Sequence, residues 1–124
     1  MARIQHIAIT CQENEKLASF YKESFGLVEV KRNAPNGPEG SVVIYLSDGH
    51  MNLALLPARP GQPEGINHFG FHVDDLEEAR EKAVSLGAKP GSVDLPGGFV
   101  EDFIIDASGT RVDLSAAGWA TATH

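Results

Sequence analysis

Two stretches of this chain run through the same succession of hydrophobic periods. From Ile4 to Thr10 the side chains alternate, with Ile7 and Ile9 on one face and His6, Ala8 and Thr10 on the other, which predicts a strand. A helical stripe follows, with Leu17, Phe20, Tyr21, Ser24 and Phe25 at 3.6-residue spacing, Asn14 as its cap and Gly26 as its stop. Tyr21 and Phe25 are expected in the core. Leu27 to Lys31 reads as a short strand and Asn33 to Gly40 as a turn-rich loop. Val42 to Leu46 and Met51 to Leu56 read as a hairpin about Ser47-Asp48-Gly49-His50.

Pro57 to Gly65 holds three prolines and no apolar period, so it reads as a linker, after which the succession restarts. Ile66 to Val73 is a strand. Asp74-Asp75 caps an amphipathic helix from Leu76 to Leu86, and Gly87 closes it. Lys89 to Val93, Phe99 to Asp106 and Thr110 to Ser115 are three more strands, with Leu95-Pro96-Gly97-Gly98 as a turn. His6 precedes Gly26 by 20 residues and His68 precedes Gly87 by 19, so the two histidines hold equivalent places in two units. Internal duplication is the economical reading. The expected fold is a single α+β domain, 1–124, made of two βαβββ modules, 3–57 and 66–115.

Composition narrows the field modestly. A chain of 124 residues, 42% hydrophobic and 22% charged, suits one soluble domain. A net charge of −7, with basic residues scattered, argues against nucleic acid. No apolar run approaches the roughly 20 residues of a membrane span, and the first residues enter strand pattern at once with no signal-like stretch. The lone Cys11 excludes an internal disulfide and, with the other features, leads us to expect a cytoplasmic protein. No base stands at useful spacing to make Cys11 a nucleophile.

The candidate chemistry lies in His6, His68 and Asp113, each in a strand whose other face is apolar: Ile7 and Ile9, Phe69 and Phe71, Val112 and Leu114. Taken singly, each is more simply a hydrogen-bonded core group. Two imidazoles and a carboxylate at matched places in duplicated units point instead to an open facial site for a divalent ion, with Fe, Mn, Zn and Ni all acceptable. His72, four residues past His68, is about 13 Å along the strand and belongs at most to the rim. Asp113 is also a candidate base, and His50 and Glu101 are further acid-base candidates, with a solvated turn and an exposed strand as their alternatives. The tail, Ala116 to His124, has no strong pattern, although Trp119 is large enough to dock. His124 carries no functional weight.

His6-Ile7-Ala8-Ile9, Leu17 to Leu27, His68 to Leu76 and Asp106 to Leu114, taken in order, resemble the vicinal oxygen chelate superfamily of glyoxalases, extradiol dioxygenases, methylmalonyl-CoA epimerases and bleomycin- or fosfomycin-resistance proteins. The resemblance implies a curled mixed sheet around a cleft, and metal ligands from the first and last strands of each module: His6, a residue of the Met51 to Leu56 strand, His68 and Asp113. Asn52 before Leu53 best matches the family's usual Glu-Leu or Gln-Leu, with Ala54 as the other register. Asp113 stands where glutamate is commoner.

The resemblance also implies a small-molecule substrate with adjacent oxygens and self-association as a homodimer. An amide at 52 cannot act as a general base, which tilts the expectation slightly toward dioxygenase-like chemistry over isomerase or lyase chemistry. The alternative is a non-catalytic binder that sequesters a drug. A phosphonate-directed transferase would want a basic anion pocket, and the sparse cations disfavour it.

Overall fold

A computed structural model describes residues 1–33, 42–95 and 99–123. The expected Asn33 to Gly40 loop and Leu95 to Gly98 turn, all but the first residue of each, and His124 lie outside the described residues. The elements run β1 (Arg3–Cys11), α1 (Asn14–Phe25), β2 (Val28–Arg32), β3 (Ile44–Ser47), β4 (Asn52–Pro57), β5 (Gly65–His72), α2 (Leu76–Ser85), β6 (Lys89–Leu95), β7 (Phe99–Ile105) and β8 (Arg111–Ser115). This is the α+β succession of two βαβββ modules that the hydrophobic periods predict. No described helix is long and apolar enough to cross a membrane.

The chain divides into two compact units. One contains His6–Asn67 and Ala120–His124, the other Met1–Gln5 and His68–Trp119. In the first, the strands lie in the order β1-β4-β3-β2, with β1 parallel to β4 and the remaining pairs antiparallel. In the second the order is β5-β8-β7-β6, again with one parallel pair, β5 with β8, followed by antiparallel ones. The duplication inferred from spacing therefore holds strand for strand.

In the first unit, residues paired across the ladder share a face. Ile9, Leu53, Leu55, Ile44 and Leu46 look toward α1, and with Cys11 and Ala18 they form the core, with Leu17, Tyr21 and Leu27 packed against it. His6, Ala8, Asn52 and Ala54 share the other face. That face is the more deeply buried along β1: His6, Ala8 and Thr10 are buried while Ile7 and Ile9 are only half so.

Helix α1 corrects two expectations. Its cap position is Glu13, which makes no side-chain capping bond; Asn14 donates instead from Nδ2 to the Val42 and Leu55 carbonyls, at 2.6 and 3.3 Å, and so ties the helix start to the sheet. The apolar stripe is also narrower than its spacing suggests. Leu17, Ala18 and Tyr21 meet the sheet, but Phe20 is 52% and Phe25 68% exposed. Phe20 lies about 100° around the helix from the middle of the buried arc. Phe25, in the last turn, packs edge-on against Phe20 with ring centres 6.2 Å apart and is no core residue. Gly26 stops the helix at φ 73°, a left-handed conformation open to glycine.

In the second unit Asp75 caps α2, accepting from the Glu78 main-chain N–H at 3.0 Å. Arg80 fastens the helix to β7 through Asp102 at 2.9 Å.

An ion-pair cluster joins α1 to β2: Glu29 accepts from Lys22 at 3.2 Å and from Arg32 at 2.9 Å, and Arg32 also reaches Glu15. Hydrogen bonding to Arg32, then to Lys22, outweighs desolvation and holds Glu29 down to about 2, from an ordinary 4.5. A lowered carboxyl pKa stabilises the fold above the unfolded value, and that contribution is lost as pH falls through the folded one. Stability from this cluster should therefore drain away between pH 4.5 and 2. Because the groups are largely solvated, the loss is on the order of 1 kcal/mol. Urea midpoints measured down this range should fall less steeply in Glu29→Gln than in the parent.

Candidate functional site

Each unit carries a polar cluster built at its parallel strand pair. In the first unit β1 and β4 set His6 directly opposite Asn52. His6 is 3% and Asn52 1% exposed, and Nδ1 of the ring lies 2.9 Å from the amide Oδ1. The amide nitrogen donates to the Ala120 carbonyl at 2.8 Å. Both ends of the Asn52 amide are thus engaged within the protein, one on the imidazole and one on the tail.

In the second unit β5 and β8 place Gly70 opposite Asp113, with His68 two residues before Gly70 on the same face. Asp113 is 2% exposed. Its Oδ1 accepts from Arg111 Nε at 2.7 Å, and its Oδ2 lies 3.1 Å from His68 Nε2. Despite that closeness, Oδ2 has no partner in hydrogen-bonding geometry and is sealed from solvent. Two ligands about 2.1 Å from one cation and at right angles to each other stand roughly 3 Å apart. An imidazole nitrogen and a carboxylate oxygen at this spacing match two neighbouring positions around one cation as well as they match a direct ion pair.

Burial alone would raise the Asp113 pKa, but the neighbouring His68 ring and Arg111 guanidinium together hold it below the ordinary carboxylate value. The opposite holds at Glu101, whose partner across β6 is Val93. Burial first, then the Asp113 charge, push its carboxyl up, although Arg111 at 3.9 Å pulls the other way. One unit therefore carries two carboxylates whose proton affinities are driven apart, a pattern that separates a permanent anion from a group able to take up a proton.

The remaining candidates are dispersed. His50 is exposed in the β3–β4 turn, where its main-chain N–H donates to Asp48 Oδ1 at 2.8 Å. His72 Nε2 donates to the Ala116 carbonyl at 3.0 Å. Cys11 is buried beside the Leu56 carbonyl, and burial followed by the Glu64 charge raises its thiol pKa, the reverse of what a nucleophile needs.

Three contributors escape the hydrophobic pattern. Arg111 carried a signal that was available: it stands two residues before Asp113 in a strand, so the two side chains must share a face. The Ala120 carbonyl carried none, because the tail has no period, and Trp119 showed itself only by its size. Trp119 lies on Gly70: a β-carbon added there would come within 2.7 Å of its ring and 3.2 Å of Asp113 Cβ. Its main-chain N–H donates to Gln5 Oε1 at 2.9 Å. Gly70→Ala should consequently lift the indole, destabilise the protein by about 1–3 kcal/mol, and red-shift emission from this single tryptophan.

The fold and these clusters define a class. The chain belongs to the Glyoxalase/Bleomycin resistance protein/Dioxygenase superfamily, whose model matches residues 3–114. Within it, the chain is 27% identical over 135 aligned positions to the mitochondrial methylmalonyl-CoA epimerase of Bos taurus, covering 94% of this chain and 75% of the relative. It is also 27% identical over 100 positions to the ethylmalonyl-CoA/methylmalonyl-CoA epimerase of Cereibacter sphaeroides, covering 72% of this chain and 74% of that one. Among solved structures, a hypothetical protein from Bacillus halodurans superposes with a TM-score of 0.73 at 20% identity, over 98% of this chain and 99% of that one. A Streptomyces coelicolor methylmalonyl-CoA epimerase variant in complex with 2-nitronate-propionyl-CoA gives 0.71 at 22%, over 92% and 97%. At those identities the structural likeness shows a common fold.

Proposed function

We propose that this chain is a metal-dependent isomerase that removes and returns the proton on the carbon beside the carbonyl of a small acyl thioester. The observation that carries the reading is the buried Asp113 Oδ2, without a hydrogen bond yet 3.1 Å from His68 Nε2. His68 and Asp113 would hold a divalent ion of the Fe, Mn, Zn or Ni kind, with His6 as the further ligand that the sequence resemblance implies. When bound, such an ion supplies a Lewis acid that lowers the cost of negative charge on a carbonyl oxygen.

The protein's own groups divide the remaining work. Asp113, held anionic by His68 and Arg111, is a poor proton acceptor and suits a ligand. Glu101, raised above the ordinary value, is the better base for a carbon acid near neutral pH. His50, exposed in its turn, is assigned no step. The similarity to two epimerases acting on CoA thioesters supports proton transfer over the dioxygenase-like chemistry suggested by the amide at 52 alone.

The test is deuterium wash-in at C2 of methylmalonyl-CoA in D2O, with one divalent metal supplied at a time. Exchange is expected with at least one metal. Glu101→Gln should slow it by about 100-fold or more while still binding the metal. Oxygen uptake with a catechol, and no exchange, would move the reading to a dioxygenase. Ligand binding with no turnover and no metal would make the protein a binder.

A further inference from the structure

We infer that Asn52 acts on His6 as a positioning residue, fixing the proton of the imidazole on Nδ1 and its lone pair on Nε2, and that the Ala120 carbonyl of the tail fixes Asn52 in turn. The inference deepens the proposed metal site and rests on it for its functional meaning, though the geometry behind it is independent.

The argument starts at the tail. A main-chain carbonyl can only accept a hydrogen bond, so the Asn52 atom that faces Ala120 at 2.8 Å must be the amide nitrogen. Turning the amide over would set two oxygens against each other in a site 1% exposed, where no water makes good the loss. The amide oxygen is thereby committed to the other side, 2.9 Å from His6 Nδ1. An oxygen without a proton demands an N–H from the ring. A neutral imidazole carries a single ring proton, so Nε2 is left as the nitrogen with the lone pair.

The strand register makes the pairing unavoidable. His6 and Asn52 are direct partners on neighbouring parallel strands and project from the same face. Position 52 is where the sequence resemblance implies a metal ligand. In this chain the side chain there is short, and its oxygen meets the ring directly across from it. A ligand histidine whose second nitrogen is held by an amide oxygen is pre-set in tautomer and ring plane, which is how partners of ligands tune affinity.

The test reads the ring before any metal is added. Long-range proton–nitrogen spectra of metal-free protein labelled with 15N-histidine, taken about two units above the ordinary imidazole pKa, should show His6 wholly as the Nδ1–H form. Asn52→Leu should abolish that single form and raise the zinc dissociation constant about 10- to 100-fold. Asn52→Asp keeps an oxygen for the ring and should keep the Nδ1–H form, but it sets its second oxygen against the Ala120 carbonyl and should lower the urea midpoint. The His68 signals serve in each variant as the check that the fold is intact.

Finding His6 as Nε2–H in the parent overturns the inference. So does an unchanged Nδ1–H signal in Asn52→Leu accompanied by lost zinc, which would make Asn52 a ligand. An Nδ1–H ring in a parent that binds no metal would sink the proposed function and leave this inference standing.

Discussion

His68→Ala is expected to lose the divalent metal that the proposed centre would hold at one ion per chain, with affinity falling by more than about 100-fold. The loss should be visible as absent metal in the tagless protein after dialysis and elemental analysis. His68 supplies the nitrogen facing Asp113 Oδ2, and no other imidazole of its unit can take its place. His72, four residues on, is about 13 Å further along the strand and engages the Ala116 carbonyl. His72→Gln should therefore retain the metal. Full metal content in His68→Ala would show that the ligand set is wrong. Asp113→Asn should go further and cost stability as well, about 3–5 kcal/mol, because it strips the counter-charge from a partly buried Arg111.

Leu55→Ala should produce the largest purely structural effect, a loss of about 2–5 kcal/mol. Leu55 is 0% exposed at the centre of the first unit, opposite Ile9 on one neighbouring strand and Ile44 on the other, under α1. Shortening it removes apolar contact on three sides and leaves a cavity that paired strands cannot collapse. The urea midpoint should fall with an unchanged slope. Phe25→Ala is the matching control, since that ring is 68% exposed. Its effect should stay within about 0.5 kcal/mol. A large effect at Phe25 instead would mean that the helix packs differently.

The succession of elements was legible because each has a period of its own. Alternation marks β1, β5 and β8, a 3.6-residue spacing marks both helices, and Gly26 and Gly87 punctuate them. The polar positions could also be read, since His6, His68 and Asp113 each interrupt an apolar strand. What alternation could not give is the relative depth of two faces. Ile7 and Ile9 look like the buried side of β1, yet His6, Ala8 and Thr10 are deeper. Nor does a period exist for the tail. The Ala120 carbonyl acts through its main chain, which every residue possesses, so no side chain advertises it. The spacing of Asn52 gave its position on the strand, but not which way its amide turns, since that is decided 68 residues away in sequence.

Arg111, finally, is held from behind. Its guanidinium rests 4.4 Å above the Phe103 ring, and that ring fills the place where Gly91 lacks a side chain; a β-carbon there would stand 2.4 Å from it. The setting of a buried anion on β8 is thus decided two strands away, by the missing methyl group of a residue that touches no ligand. Drift at position 91 toward any larger amino acid would tilt the ring, shift the cation riding on it, and retune the carboxylate beyond. Substitutions in β6 can therefore alter the setting of Asp113 while leaving the residues around it untouched.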